Sequence, residues 1–447
     1  TLIVEVMKRD PNGLSARLGV LIVSIVNSNK KVAALDPASH LLRWSSSQGA
    51  KGHLQVTNKN GVRGLAPSGL LPAGASLLSV PRSFLLKPMR SEVLSAGVKA
   101  EVFDTADEKA KLALTLLVES RKFEVDQRWP KPFLDCLPLD EDFAGVGARW
   151  SDSELEWLEG ADIRRRVTIA REVNQKLAES ISDADFSERE LVWAMDVVNS
   201  RALGGSFGSG GTTRALVVAQ VLAVWLSAFV VAQALASCQA GACPTGGLPL
   251  WPLAPPIAVA AALLLAGTKY EVGLIPVVDL LNHHCGAKEA RLGYDLLADC
   301  ITFRADFALE AGQEACFNYG GKKGVGNDRL LVEYGFVEEN NVDDTFRVFI
   351  ADKDDGQPGG GCSVLLGRYG KVVRASPGFD LTGRSLDRQK LAAAVGAQLE
   401  LLKNDSRGGC GADGEQLEGS RQIRGQLAKK WRDEKIRLLN EAAAVIS

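Results

Sequence analysis

Apolar residues recur every three or four positions along Glu108–Ser120, EKAKLALTLLVES, and this spacing predicts a helix with one buried face. Helical text fills 105–200, with two capping-box openings, Ser151 with Glu154 and Ser187 with Glu190. The second opens SERELVWAMDVVNSRAL (187–203), a core-facing helix by its period. Upstream, HLLRWSSSQGA (40–50) predicts a short helix ending at Gly49, since glycine readily supplies the left-handed stop. GVRGLAPSGLLPAGASLLSVP (61–81) alternates short β-like runs with Gly and Pro turns and predicts small paired strands. The stretch 292–320, LGYDLLADCITFRADFALEAGQEACFNYG, repeats that pattern. NDRLLVEYGFV (327–337) predicts one or two helical turns with an extended exit. From 387 onward the text is helical, interrupted by a Gly-rich polar stretch at 404–420. In its last helix Ile423, Leu427, Trp431 and Leu438 share one face, while Arg421, Arg424, Lys429, Lys430, Arg432 and Lys435 cover much of the remainder. Residues 1–38 show no period and stay unassigned.

One segment breaks the pattern. GGSFGSGGTT (204–213) lacks the lysine of a phosphate loop and follows a helix, so a linker is expected. Residues 215–236 then carry no charge, and IAVAAALLLAG (257–267) follows a Pro-rich joint. The first is long enough to span a bilayer, and both ends of 215–267 could return to one side. A lineage-specific insertion, or text translated from non-coding DNA, is nevertheless the favoured expectation, because a membrane hairpin inside a folded unit hinders its closure.

The 447 residues leave room for two or three domains, and 46% apolar content suits a folded chain. The 52 basic residues balance 54 acidic ones, so no nucleic-acid partner is expected. The eight cysteines form no CxxC pair, which points to a reducing compartment rather than a zinc ribbon or disulfide framework. The chain starts at Thr1, so a targeting segment can precede it, and Val20–Val26 is too short to span a membrane.

Candidate chemistry concentrates in PVVDLLNHHC (276–285), which holds two of the four histidines. Consecutive His283, His284 and Cys285 should alternate in direction, whereas metal ligands are usually spaced by two to four residues, so no metal is expected. A Cys–His nucleophile pair normally comes from separate elements, so adjacency lends it no support. A structural turn with Asn282 bonding backbone groups and a turn that holds a ligand both stay open. Downstream, Tyr319 precedes two glycines, and Tyr334 precedes Gly-Phe.

PVVDLLNHH, GQEACFNYG and NDRLLVEYGFV, in that order, together with WSSSQGA, GVRGLAP and NSRAL, resemble the SET-domain protein methyltransferases. The branch resembled is that of the Rubisco large-subunit lysine methyltransferase, and the likeness covers about residues 40–447 apart from 204–270. It implies an α+β fold: a SET domain of small sheets at 39–337 with a helical insertion at 105–200, then a helical substrate-binding domain at 345–447. It also implies S-adenosyl-L-methionine as cofactor, a protein partner offering lysine or histidine, a monomer, and a chloroplast or cytoplasmic location. A SET fold that only binds proteins is the alternative from another class.

By the resemblance, Val62, Arg63 and Gly64 form the turn that approaches the cofactor, glycine allowing close backbone approach. Ser200 and Arg201 match the family's S-R pair, with Arg201 beside cofactor or substrate. Asn282 would hold the cofactor's amino-acid end and His283 would offer backbone groups to the adenine, with Asp279 fixing the loop or the adjoining substrate pocket. Tyr319 takes the catalytic place, and Tyr334 and Phe336 wall an apolar substrate channel. Two departures stand out beside 204–270. Gly61 occupies a place where an acidic side chain could hold the cofactor, and the run from Tyr319 to Asn327 is long and Gly-rich.

Overall fold

The computed structural model describes residues 36–59, 61–126, 131–158, 160–207, 219–220, 223–232, 235, 270–287, 290–295, 298–351, 361–375, 385–404 and 419–446. The first helix, α1 (Pro37–Ser47), starts earlier than its text suggested. Asp36 accepts from the Ser39 amide and Pro37 occupies the first turn, the two ordinary ways of satisfying a helix start. Gly49 follows at φ +99, as expected of the stop.

Strands β1 (Leu54–Lys59) and β2 (Val62–Pro67) form an antiparallel pair, with Lys59 opposite Val62. The tight bend falls at Gly61, φ +81, whose amide donates to Asn58 Oδ1 at 2.9 Å. Val62, Arg63 and Gly64 therefore begin a strand rather than form the turn itself. β3 (Ser76–Pro81) leaves this pair and joins a second sheet.

The helical insertion contains α2 (Glu108–Asp126), α3 (Asp152–Leu155), α4 (Ala161–Ser180) and α5 (Glu188–Arg201). Both predicted capping boxes are formed, Ser151 with Glu154 and Ser187 with Glu190. α5 buries Leu191, Ala194, Met195, Val197 and Val198, and its C-terminal Arg201 reaches the Asp279 carbonyl.

The Gly-rich text at 204–213 is partly a strand rather than a linker. β4 (Leu203–Ser206) pairs antiparallel with β5 (Tyr270–Gly273), Leu203 opposite Gly273 and Ser206 opposite Tyr270. The hydrophobic segment thus leaves and re-enters along one strand pair, so its base closes without opening the core. Within it 223–232 is helical, and Trp225, Leu226 and Phe229 are exposed. Nine positions of 215–236 and all of 257–267, where the membrane hairpin was considered, lie outside the described residues. Among the described residues no helix is long and apolar enough to cross a membrane.

The remaining strands are β6 (Asn282–His283), β7 (Ala290–Asp295), β8 (Cys300–Ala305) and β9 (Cys316–Phe317). A three-stranded sheet has the order β3–β8–β7, and β6 pairs parallel with β9, Asn282 beside Cys316 and His283 beside Phe317.

The C-terminal part is not purely helical. It opens with an antiparallel sheet, β10 (Thr345–Ala351), β11 (Gly361–Gly367) and β12 (Val372–Ala375). Helices α6 (Ser385–Asn404) and α7 (Gly419–Ile446) follow. The core divides accordingly. One apolar cluster joins the small sheets to α2 and α5, and a second joins α6, α7 and β10–β11 to Trp150, Val167, Leu331 and Val332. The second cluster therefore packs behind the helical turn that carries Tyr334.

Lys435, placed on the polar side of the last helix by its text, is fully buried. It lies one turn from Trp431 on the inward face, with Nζ 2.8 Å from Asp344, 2.9 Å from Asp328 and 2.9 Å from the Thr345 carbonyl. Ile423, expected inside, is 47% exposed.

Candidate active site

The β6–β9 pairing sets the geometry. A parallel pair aligns the two chains in the same direction, so the loop after His283 and the residues after Phe317 leave side by side. The approach to β6 is strained: buried, β-branched Val277 sits at φ +76, a conformation such residues avoid. That strain falls on the segment leading to Asp279, Asn282 and His283, where functional loops commonly carry it.

Asn282 is pinned by its amide. Its Nδ2 donates to the Arg63 carbonyl at 2.9 Å and to Glu314 Oε1 at 2.7 Å. A Cβ on Gly64 would come within 2.5 Å of Glu314 Oε1 and 2.8 Å of Asn282 Nδ2, so a larger residue there would push these two side chains out of place. Val62 and Arg63 do less than expected. The Val62 side chain is exposed, and the Arg63 guanidinium turns away, donating to the Cys136 carbonyl at 3.1 Å. A cleft of about 270 Å³ lies alongside, lined by Leu77, His284, Phe307, Gln313, Glu314 and Cys316.

His283 offers more than backbone, because its ring is a strut. Nδ1 accepts from the Tyr319 amide at 3.1 Å, which places the proton of the neutral ring on Nε2. Nε2 lies 3.0 Å from Glu338 Oε2, close but out of line for a full hydrogen bond. Glu338 also accepts from the Cys285 amide at 3.0 and 3.1 Å and from the His284 ring at 2.7 Å. The expectation that consecutive side chains diverge fails here, because one carboxylate crosses the bend and gathers both imidazoles. Atoms of His284, Cys285 and Glu338 able to bind a metal lie within 4.8 Å of one another. Both carboxylate oxygens of that trio are already committed to the clamp.

Burial by itself would raise the Glu338 pKa, but the His283 ring, the Cys285 amide and the His284 ring outweigh it and hold the group at about 2. Because the folded value lies below the ordinary one of about 4.3, the stabilisation is complete above that pH and is lost as pH falls toward 2. Glu338→Gln should accordingly flatten the acid limb of stability between those values, read as the urea midpoint against pH. An unchanged limb would mean that the clamp contributes nothing.

Around Tyr319 the aromatic rings close up. Its ring centroid lies 4.8 Å from Tyr334, 4.9 Å from Phe317 and 5.1 Å from His283. Phe336 stands 6.3 Å from Tyr334 and 6.0 Å from His283. The Tyr319 hydroxyl donates to the Leu281 carbonyl at 3.0 Å. Burial pushes its pKa well above the usual phenol range, helped by Tyr334, Cys316 and Asp279 against Arg201. Tyr334 is pushed up to about 12, again chiefly by burial. Both phenols therefore stay protonated near neutrality.

Arg201 Nη1 donates to the Asp279 carbonyl at 2.8 Å and lies 3.8 Å from its carboxylate. That carboxylate is buried with no hydrogen-bond donor aligned on it among the described residues, and burial raises its pKa against Arg201 and Arg63. The Ser200 hydroxyl turns back to the Asp196 carbonyl at 2.7 Å and faces its own helix. Gly64, Arg201, Asp279, Asn282, His283, Tyr319, Tyr334 and Phe336 thus share one connected site, whereas the side chains of Val62, Arg63 and Ser200 point elsewhere. Glu314 and Glu338 were missed. Both lie in or beside quoted motifs, but nothing local marks an acid that will meet a partner 32 or 54 positions away.

No family model matches this chain, and no curated protein matches it. Solved structures do. The fold, helices with small sheets, is like that of the SET domain in solved LSMT structures. The SET domain of LSMT solved with lysine and AdoHcy matches with a TM-score of 0.53 over 92% of this chain and 91% of that one, at 15% identity. Rubisco LSMT solved with AdoMet matches at 0.53 and 14% identity, over 92% and 91% of the two chains. The same protein with sinefungin and monomethyllysine matches at 0.52 and 15%, over 92% of each.

Proposed function

We propose that this chain is an S-adenosylmethionine-dependent protein N-methyltransferase acting on a lysine side chain of a protein substrate. The observation that carries the reading is the meeting of two distant elements: the Gly64–Asn282 contact and the aromatic enclosure of Tyr319 are joined through β6 and β9. The ligands named with the similar structures, AdoMet, AdoHcy, lysine and monomethyllysine, suit such a site.

Gly64, Asn282 and the backbone of His283 would hold the cofactor, with Arg201 and Asp279 bordering it. The polar fit is good: an amide fixed in orientation, a glycine at a close approach and a buried carboxylate without an aligned donor. When bound, the cofactor supplies an electrophilic methyl on a sulfonium. The chain's own residues must then deliver a neutral amine in line with it. A free lysine has a pKa of about 10.4 and is mostly charged at neutrality. The walls formed by Tyr319, Tyr334, Phe336 and the His283 ring disfavour the ammonium by desolvation and so favour loss of its proton. Positioning then does most of the remaining work. The Tyr319 oxygen, fixed by its bond to Leu281, can favour partial positive charge on the moving methyl.

The test is transfer of labelled methyl from S-adenosylmethionine by the full chain into proteins of a cell extract, with mass spectrometry of the acceptor residue. Label on lysine is the expected result, and label on histidine would change the acceptor while leaving the reaction. Cofactor uptake without transfer would leave a SET-fold binding module. Absence of S-adenosylhomocysteine uptake by calorimetry would overturn the reading altogether.

A further inference from the structure

We propose that Glu314 supplies the negative charge that pairs with the ammonium group of the cofactor's methionine moiety, an inference that rests on the methyltransferase reading. The acid expected near the β1–β2 turn is missing, because Gly61 stands there. Glu314 comes from another element and reaches β2 further along, at Gly64. It lies just before β9, with Oε1 held by Asn282 Nδ2 at 2.7 Å and packed against Gly64.

Its electrostatic position is unusual. The side chain is half-buried, and among the described residues no lysine or arginine forms an ion pair with it. Arg63, the basic residue nearest along the strand, is turned toward the Cys136 carbonyl and Asp36 instead. A carboxylate with a single amide donor keeps lone pairs free for a cationic ligand. Partial burial strengthens the attraction that such a ligand feels, since a hydrogen bond to a charged group is worth more than a neutral one. Glu314 also lines the 270 Å³ cleft, together with Leu77, His284 and Cys316.

A merely structural role, holding Asn282, makes a different prediction. Glu314→Gln keeps an oxygen that can accept from Asn282 and removes only the charge. Calorimetry would compare S-adenosylhomocysteine with its desamino analogue on the wild-type chain and on Glu314→Gln. The wild type should favour the amino-bearing ligand by about tenfold or more. That preference should nearly vanish in the variant, with the thermal midpoint unchanged. A variant that keeps the preference would show that Glu314 only holds Asn282. A wild type that binds both ligands equally overturns the inference by itself, whatever the variant does. Failure of the wild type to bind either ligand would defeat the methyltransferase reading and this inference with it.

Discussion

Replacing Tyr319 by phenylalanine is expected to lower methyl transfer roughly 10²–10³-fold, the usual cost of removing one preorganised polar group from a reaction centre. Cofactor affinity should hardly change. The reason is geometric: the hydroxyl binds the Leu281 carbonyl at 3.0 Å, while the ring keeps its contacts with Tyr334, Phe317 and His283 in either form. The backbone amide of residue 319, which anchors the His283 ring, is also retained. What disappears is a fixed phenol oxygen beside Leu281, and with it a dipole useful only as charge develops on the moving methyl. A loss of that kind lowers kcat and kcat/KM together. The pH dependence is diagnostic as well. Burial holds the phenol protonated far above neutrality, so the wild-type rate should rise with deprotonation of the substrate amine, with no second limb from Tyr319. An unaltered kcat in Tyr319→Phe would remove this residue from the reaction centre.

Lys435→Met should destabilise the fold by about 3–5 kcal/mol, because it strands buried carboxylates rather than removing a favourable contact alone. Asp344 is almost fully buried and Asp328 largely so, and both face the lysine at under 3 Å. Methionine fills similar volume, so a cavity contributes little. The damage should travel. Asp344 accepts from the Asn327 amide at 2.8 Å, and Asn327 in turn bonds the backbone of Glu338, whose carboxylate clamps both imidazoles. The exposed pair Lys429–Asp433 is the control, and Lys429→Met should cost no more than about 1 kcal/mol. Urea midpoints of the two variants decide the matter. Equal shifts would show that the Lys435 cluster is energetically idle. Desolvation opposes the charge on Lys435, but Asp328 and Asp344 outweigh it and raise its pKa. Its contribution is therefore whole at neutral pH and is lost only as pH climbs past the ordinary lysine value of about 10.4.

Much of this molecule was legible as text, for a specific reason. Helix period, capping boxes and glycine stops depend on residues within four positions of one another, so α5 could be read with its Ser187–Glu190 opening. The order of the motifs around Asn282, Tyr319 and Tyr334 was likewise enough to anticipate a mixed fold of helices and small sheets. The C-terminal strands were not anticipated, because each pairs with residues well beyond the few positions over which a local period is read, Thr345 with Gly367 for example.

By itself the sequence determined where α3 and α5 would start, through their capping boxes, and which stretches would bring polar and aromatic side chains together. The tertiary structure alone decided what each charge would meet. Lys435 reads as surface until the fold brings Asp328 and Asp344, about a hundred positions upstream, against it, and two neighbouring histidines converge only because Glu338 crosses their bend. Local propensity is set by near neighbours, whereas the solvation of a charge depends on whatever the fold places beside it.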